Sequence, residues 1–136
     1  MLSSSLSLVS GSREPKLMRL TLGQLLERQA ETYGSKDALL VGWTKARLSF
    51  QELSSRTKVL ARALLVNGVR KGDQIAILSG DDERFIKLFF AVGRIGAILV
   101  ILNKTYTLSE CVRALEHTGL KLQTTPLLQR TCAKIL

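Results

Sequence analysis

A chain of 136 residues fits one domain and is long enough to enclose a sizeable core. At 46% hydrophobic and 23% charged it is too apolar for a disordered chain and matches an ordinary α/β domain. Twenty basic against eleven acidic residues give a net charge of +9, but Arg28, Lys45, Arg56, Arg62, Lys87 and Arg113 stand singly among apolar positions, and the Arg70-Lys71 pair falls in a turn. Phosphate neutralisation needs clustered cations, and base stacking needs interleaved aromatics, so this charge reads as a solvated basic surface. Aromatics are only 5% of the chain, so the core must be aliphatic. Cys111, Cys132 and the single histidine, His117, have no partner at ligand spacing, which points to reduced thiols and no metal site.

Residues 1–20 read as a flexible leader. The stretch is Ser-rich, has no basic n-region, and its apolar residues Leu2, Leu6, Leu8 and Val9 are too interrupted for an export signal. The absence of an acid before Glu14 keeps a weak transit peptide as the alternative. The longest apolar run, Ile95 to Leu102, falls far short of the roughly 20 residues that cross a bilayer.

Order begins at Thr21, where Thr21-Leu-Gly-Gln24 has the spacing of a capping box. Leu22, Leu25, Leu26, Ala30 and Tyr33 follow on one helical face, and Gly34 stops the helix. Ala38 to Val41 and Leu48 to Phe50 read as a hairpin around Gly42-Trp43-Thr44-Lys45. Ser49-Phe-Gln-Glu52 is a second capping box before a helix with Leu53, Thr57, Leu60, Ala61, Leu64 and Leu65 inward, ended by Asn67-Gly68. Lys71-Gly72-Asp73 turns into a strand, Gln74 to Leu78, and Gly80-Asp81-Asp82 opens a helix with an apolar face of Phe85, Leu88, Phe89 and Val92. Gly93 and Gly96 mark its exit into Ala97–Leu102, a strand apolar at every position and so expected to be buried on both faces. A third capping box, Thr107-Leu-Ser-Glu110, begins a helix with Leu108, Cys111, Val112 and Leu115, ended by Gly119. Lys121 to Thr124 could start another strand, and a short helix could follow Pro126. The alternation of strand and helix predicts an α/β fold of βαβαβ doubly wound layers behind a hairpin. A parallel sheet of so few strands leaves an unpaired apolar edge.

The succession Thr21-Leu-Gly-Gln-Leu-Leu-Glu-Arg-Gln-Ala30, Arg47-Leu-Ser-Phe-Gln-Glu-Leu53 and Gly68-Val-Arg-Lys-Gly-Asp73 resembles the opening of the AMP-dependent synthetase and ligase family, the adenylate-forming enzymes. So does Phe89-Phe-Ala-Val-Gly-Arg-Ile-Gly-Ala-Ile-Leu-Val-Ile-Leu-Asn103 with Thr105, Tyr106, Thr107 and Glu110. Gly42-Trp43-Thr44 and Gly93-Arg94-Ile95-Gly96 look closest to its fatty-acid or medium-chain acyl-CoA ligase branch. The resemblance covers Thr21 to Lys121, and divides the chain into a leader at 1–20, a partial N-terminal ligase domain at 21–122 and a divergent tail at 123–136. It departs from the family at Asp81, where asparagine is usual, and at Lys104, where the missing proline loosens a turn.

The resemblance implies an enzyme that joins a carboxylate to ATP's α-phosphate with loss of pyrophosphate, then passes the acyl group to CoA. The phosphate loop, the Mg²⁺ acid, the ribose aspartate and the late lysine of that chemistry come after the covered region in family order. No catalytic, cofactor-binding or metal residue is therefore assigned, and ATP, Mg²⁺ and CoA are expected only of the full-length family.

Four groups imitate a site. Ser10-Gly-Ser-Arg-Glu-Pro-Lys16 mimics the phosphate loop but lacks its second glycine and follows no strand. Asp81, Asp82 and Glu83 read as a helix cap rather than a Mg²⁺ site. His117 reads as a surface residue at a helix end, and Asn103 and Tyr106 as a structural turn, although they stand where α/β sheets place ligands. The functional expectation is an N-terminal ligase fragment inactive by itself; the alternatives are a module completing a partner ligase chain and, last, a basic nucleic-acid-binding domain. The default location is intracellular and cytoplasmic, with organelle targeting left open; the final Lys134-Ile135-Leu136 is not a peroxisomal address of the S-K-L kind.

Overall fold

All three capping boxes form with both reciprocal bonds in place. The computed structural model describes residues 11, 12, 14, 18–80 and 82–118. Thr21 caps α1 (Leu22–Tyr33), the Gln24 N–H donating to its hydroxyl at 3.2 Å while its own N–H donates to Gln24 Oε1 at 2.9 Å. Ser49 and Glu52 do the same for α2 (Phe50–Val66) at 3.2 and 2.9 Å, and Thr107 and Glu110 for α4 (Leu108–His117) at 3.4 and 2.7 Å. Each box satisfies donors that a helix start leaves orphaned.

Between α1 and α2, β1 (Asp37–Val41) and β2 (Ala46–Ser49) form an antiparallel hairpin with a bulge between Asp37 and Leu39. The bulge lets Leu39 and Leu48 pair and sends both into the core with Leu26 and Leu53. The second strand ends one residue earlier than expected: Phe50 opens α2 and donates its N–H to Lys36 O at 3.1 Å, because Ser49 cannot both cap and be followed by a strand residue.

Arg70 to Asp73 form a turn closed at 3.1 Å from the Asp73 N–H to Arg70 O, with Gly72 at φ 88° in the left-handed position that favours glycine. It leads into β3 (Gln74–Leu78), then α3 (Glu83–Ile95) and β4 (Ile98–Leu102). β3 and β4 pair in parallel, Ile75 beside Leu99 and Leu78 beside Leu102, so β3–α3–β4 is a βαβ unit. Ala97, expected in the strand, instead belongs to the helix exit: its N–H donates to Val92 O at 3.2 Å beside Gly96, whose φ is 71°.

α3 is the central element. Leu88, Ala91 and Val92 pack on Ala61, Leu64 and Ile75, while Ile86 and Phe90 reach the cluster of Leu26, Leu48 and Leu53. The expectation that β4 is buried on both faces is corrected. Ile101, on the same face as Leu99, is 59% exposed, and Ile98, on the other, 51% exposed. Only β3 flanks β4 among the described residues, so apolarity on both faces outruns the cover present. α4 likewise has no fully buried residue. Gly119, the strand expected at 121–124, the helix after Pro126 and Cys132 lie outside the described residues.

α1 and α3 approach closely through two glycines. A Cβ on Gly23 would stand 2.9 Å from Arg94 Cγ, and one on Gly93 would stand 3.0 Å from Leu22 Cδ1. Leu22 lies at the surface and can yield, whereas Arg94 is tethered at its far end. Gly93→Ala should therefore be neutral or stabilising by up to about 1 kcal/mol from helix propensity. Gly23→Ala should cost about 1–3 kcal/mol from overpacking. Urea midpoints of the two variants test this opposition of signs.

Candidate functional site

Where α1, α2 and α3 meet, one cation is surrounded by three partners. Arg94, in the last turn of α3, has a side chain only 10% exposed. Its Nε donates to Thr57 Oγ1 at 3.1 Å, one terminal nitrogen to Ser54 Oγ at 3.1 Å, and the other to Glu27 Oε1 at 2.8 Å. Thr57 and Ser54 are buried on α2, and the Thr57 hydroxyl donates a hydrogen bond to Ser54 O at 2.9 Å. Lys58 Nζ joins the same Glu27 oxygen at 3.1 Å. The Arg94 and then the Lys58 hydrogen bonds hold the Glu27 carboxyl below its ordinary value, so it stays ionised at neutral pH. The Ser54 and Thr57 hydroxyls accept from Arg94, and Lys58 and Arg94 share Glu27 Oε1, so the cluster's work is to join three helices.

The other candidate region is the carboxyl end of the parallel strands, from which the segments after Leu78 and Leu102 leave side by side. Of the three consecutive acids read as a helix cap, Asp82 is the residue that caps α3, with Glu83 in its first turn, and Asp81 lies outside the described residues. Asp82 Oδ1 accepts from the N–H groups of Arg84 at 2.9 Å and Phe85 at 3.1 Å, and Oδ2 from Arg84 Nε at 2.8 Å. Burial pushes this carboxyl up, but the Phe85 and Arg84 hydrogen bonds outweigh burial and hold it below the usual value. Asn103 closes its turn with Oδ1 accepting from the Thr105 N–H and hydroxyl, each at 3.0 Å, while its carbonyl accepts from the Tyr106 N–H at 3.0 Å. At Lys104, where the family's proline is missing, the turn is held by these Asn103 hydrogen bonds, and α4 starts where the capping box puts it. Tyr106 stays half exposed.

A shallow apolar groove of about 240 Å³ lies between Leu39, Leu40 and Trp43 of the hairpin and Asp82, Phe85 and Ile86 of α3. Its one carboxylate is already saturated by the cap, so it can accept apolar surface and little else. The structure does not bring Asp82, Asn103, His117 and Cys111 into a shared site: among the described residues no three His, Cys, Asp or Glu side chains converge as metal ligands. His117 ends α4, and Cys111 is half buried with a free thiol. The phosphate-loop mimic at Ser10–Lys16 lies largely outside the described residues. Sequence reading missed the Arg94 cluster, though its signal was there: Arg94 is the one charged residue between Leu88 and Leu102.

A family model described as AMP-binding enzyme matches residues 26–135. The acyl-CoA ligase SID4 of Ajellomyces capsulatus is 44% identical over 117 residues, covering 86% of this chain and 20% of that protein. The acyl-CoA ligase sidI of Aspergillus fumigatus is 46% identical over 117 residues, with the same 86% and 20% coverage. The crystal structure of the N-terminal domain of FACL13 from Mycobacterium tuberculosis superposes with a TM-score of 0.71 at 24% identity, over 75% of this chain and 26% of that one, which shows the shared fold. The chain spans about a fifth of the length of the curated relatives it matches.

Two outcomes test the electrostatic reading. Arg94→Met should cost about 2–3 kcal/mol, since buried Ser54 and Thr57 lose their donor, measured by chemical denaturation. Because folding lowers the Glu27 carboxyl below 4.5, its stabilisation is complete above that pH and is lost as pH falls through the lowered value. Wild type should therefore exceed Glu27→Gln in stability at pH 7, and the gap should narrow as the pH is taken below 4.5.

Proposed function

The chain belongs to the AMP-binding enzyme family, matching the N-terminal region of its acyl-CoA ligases, and from that membership we propose that it supplies the opening layers of an acid–CoA ligase and has no ligation activity by itself. The observation that carries this reading is the family match across most of the chain, together with a described region whose polar clusters are all consumed in caps and helix joints. In the whole enzyme the reaction joins a carboxylate to AMP with release of pyrophosphate, and CoA then takes the acyl group. ATP, Mg²⁺ and CoA would be gripped by residues outside the matched fifth of such a ligase. This segment's part is structural: α1, α2 and α3, locked by Arg94, hold β3 and β4 in register as a base for the rest of the sheet.

Two measurements test it. The 136-residue chain incubated with ATP, Mg²⁺, CoA and fatty acids should release no pyrophosphate above background. A chimaera in which residues 21–118 replace the corresponding segment of the Aspergillus fumigatus ligase should fold and release pyrophosphate with that enzyme's own acid. Release by the isolated chain, or an unfolded chimaera, refutes the reading.

A further inference from the structure

We propose that the outer face of α2 is a docking surface for an anionic phospholipid bilayer, with its cations on the headgroups and its two outward valines at the acyl boundary. The inference goes beyond the ligase reading and does not depend on it. Three observations carry it.

The first is an inverted burial pattern. α2 turns Leu53, Thr57, Ala61 and Leu64 inward, and Ala61 and Leu64 meet Ile75 of β3 and Ala91 and Val92 of α3. The opposite side of such a helix is ordinarily polar, yet Val59 is 66% and Val66 86% exposed there, two turns apart on one line. Because Ile75 lies against the inner face, this stripe points away from the sheet, and strands added beside β4 do not reach it.

The second is charge. From Ser55 to Gly72 the chain carries Arg56, Lys58, Arg62, Arg70 and Lys71 and no acid. Helical spacing sets Arg62 between the two valines, with Arg56 on one flank of the stripe and Lys58 on the other. Arg56 reaches Glu52 only at 3.9 Å, Lys58 shares Glu27 with Arg94, and Arg62 has no ion pair among the described residues. Arg70 is fixed at the end of the helix by hydrogen bonds to Leu65 O at 3.0 Å and Val69 O at 3.1 Å. Cations that stand singly in the sequence are thus collected on one side of the helical layer.

The third selects the occupant. A peptide anchor needs a groove, and the apolar groove of the described region lies elsewhere, between the hairpin and the start of α3. The face of α2 is the convex side of a single helix. A fluid headgroup layer conforms to such a stripe, and its negative potential complements cations that lack acidic neighbours. The long stems of arginine and lysine let the charges meet phosphates while the shorter valines sit on the apolar side.

The test is co-flotation of the 136-residue chain with vesicles of equal parts phosphatidylserine and phosphatidylcholine, against vesicles of phosphatidylcholine alone. The expected result is binding to the mixed vesicles only, weakened as salt is raised. Arg62→Gln should weaken binding about fivefold, the worth of one cation near an anionic surface. Arg113→Gln, an equal loss of charge on α4, should leave it unchanged. Val59→Ser combined with Val66→Ser should weaken it about tenfold with the fold intact by circular dichroism, since both positions are exposed. Trp43, the single tryptophan, stands on the hairpin and reports contact there. No binding to the mixed vesicles, equal weakening by the two arginine variants, or indifference to the valine variant overturns the proposal. A blue shift of Trp43 emission that survives the α2 variants does so too, by placing the contact on the hairpin. Binding of soluble polyglutamate without binding of vesicles overturns it in favour of an acidic protein partner.

Discussion

The Arg94 guanidinium is the joint on which the helical layer depends. A planar fork with several donors can meet a carboxylate and two hydroxyls at once, and here those acceptors come from two different helices. Lysine at the same place would offer a point charge on a flexible stem and could not meet Thr57, Ser54 and Glu27 together. Gly23 on α1 allows the approach by leaving room for the arginine stem, so one residue without a side chain and one with a long polar side chain act as a pair. Buried charge of this kind is costly to remove at one end only, because the partners remain desolvated.

That joint fixes where α3 lies, and α3 fixes the rest. Its apolar residues serve two clusters: one with α2 and β3, the other with α1 and the hairpin. Its start is held by Asp82 and its end by Gly96. The Gly96 carbonyl accepts the Gly72 N–H at 2.9 Å, and Asp73 O accepts the Ile98 N–H at 2.8 Å, which ties the turn before β3 to the entry of β4. The parallel pair is therefore set by backbone bonds at the helix exit as much as by its own ladder.

The polar groups of the described region are spent on this scaffold. Glu52 and Glu110 are lowered by the backbone and hydroxyl hydrogen bonds they accept from Ser49 and Thr107, Asp82, against the burial that raises it, by the Phe85 and Arg84 N–H groups and the Arg84 guanidinium, and Glu27 by Arg94 and Lys58. Perturbed carboxyls often mark active sites, but the same shifts arise when carboxylates cap helices. Here every case has an architectural cause. Among the described residues, the apolar side chains this scaffold leaves exposed include Ile98 and Ile101 on β4 and Leu108 on α4.

The sequence by itself determined the local elements. Thr21, Ser49 and Thr107 each stand three residues before a Glu or Gln, and local hydrogen bonding makes that spacing sufficient to start a helix. Gln74–Leu78 was readable to the residue because a Gly-Asp turn and a loop bracket it. The ordered motifs also carried the family, since several agreeing spacings constrain far more than any one. Tertiary structure alone decided what crosses between elements. The choice of Asp82 over Asp81 as cap depends on where the chain leaves β3, and the Arg94 cluster joins residues up to 67 positions apart, a separation no periodicity encodes. The exposure of Ile98 and Ile101 was equally hidden, because an apolar strand has the same sequence pattern whether its neighbours are present or not; burial is a property of the surroundings, and only coordinates supply those.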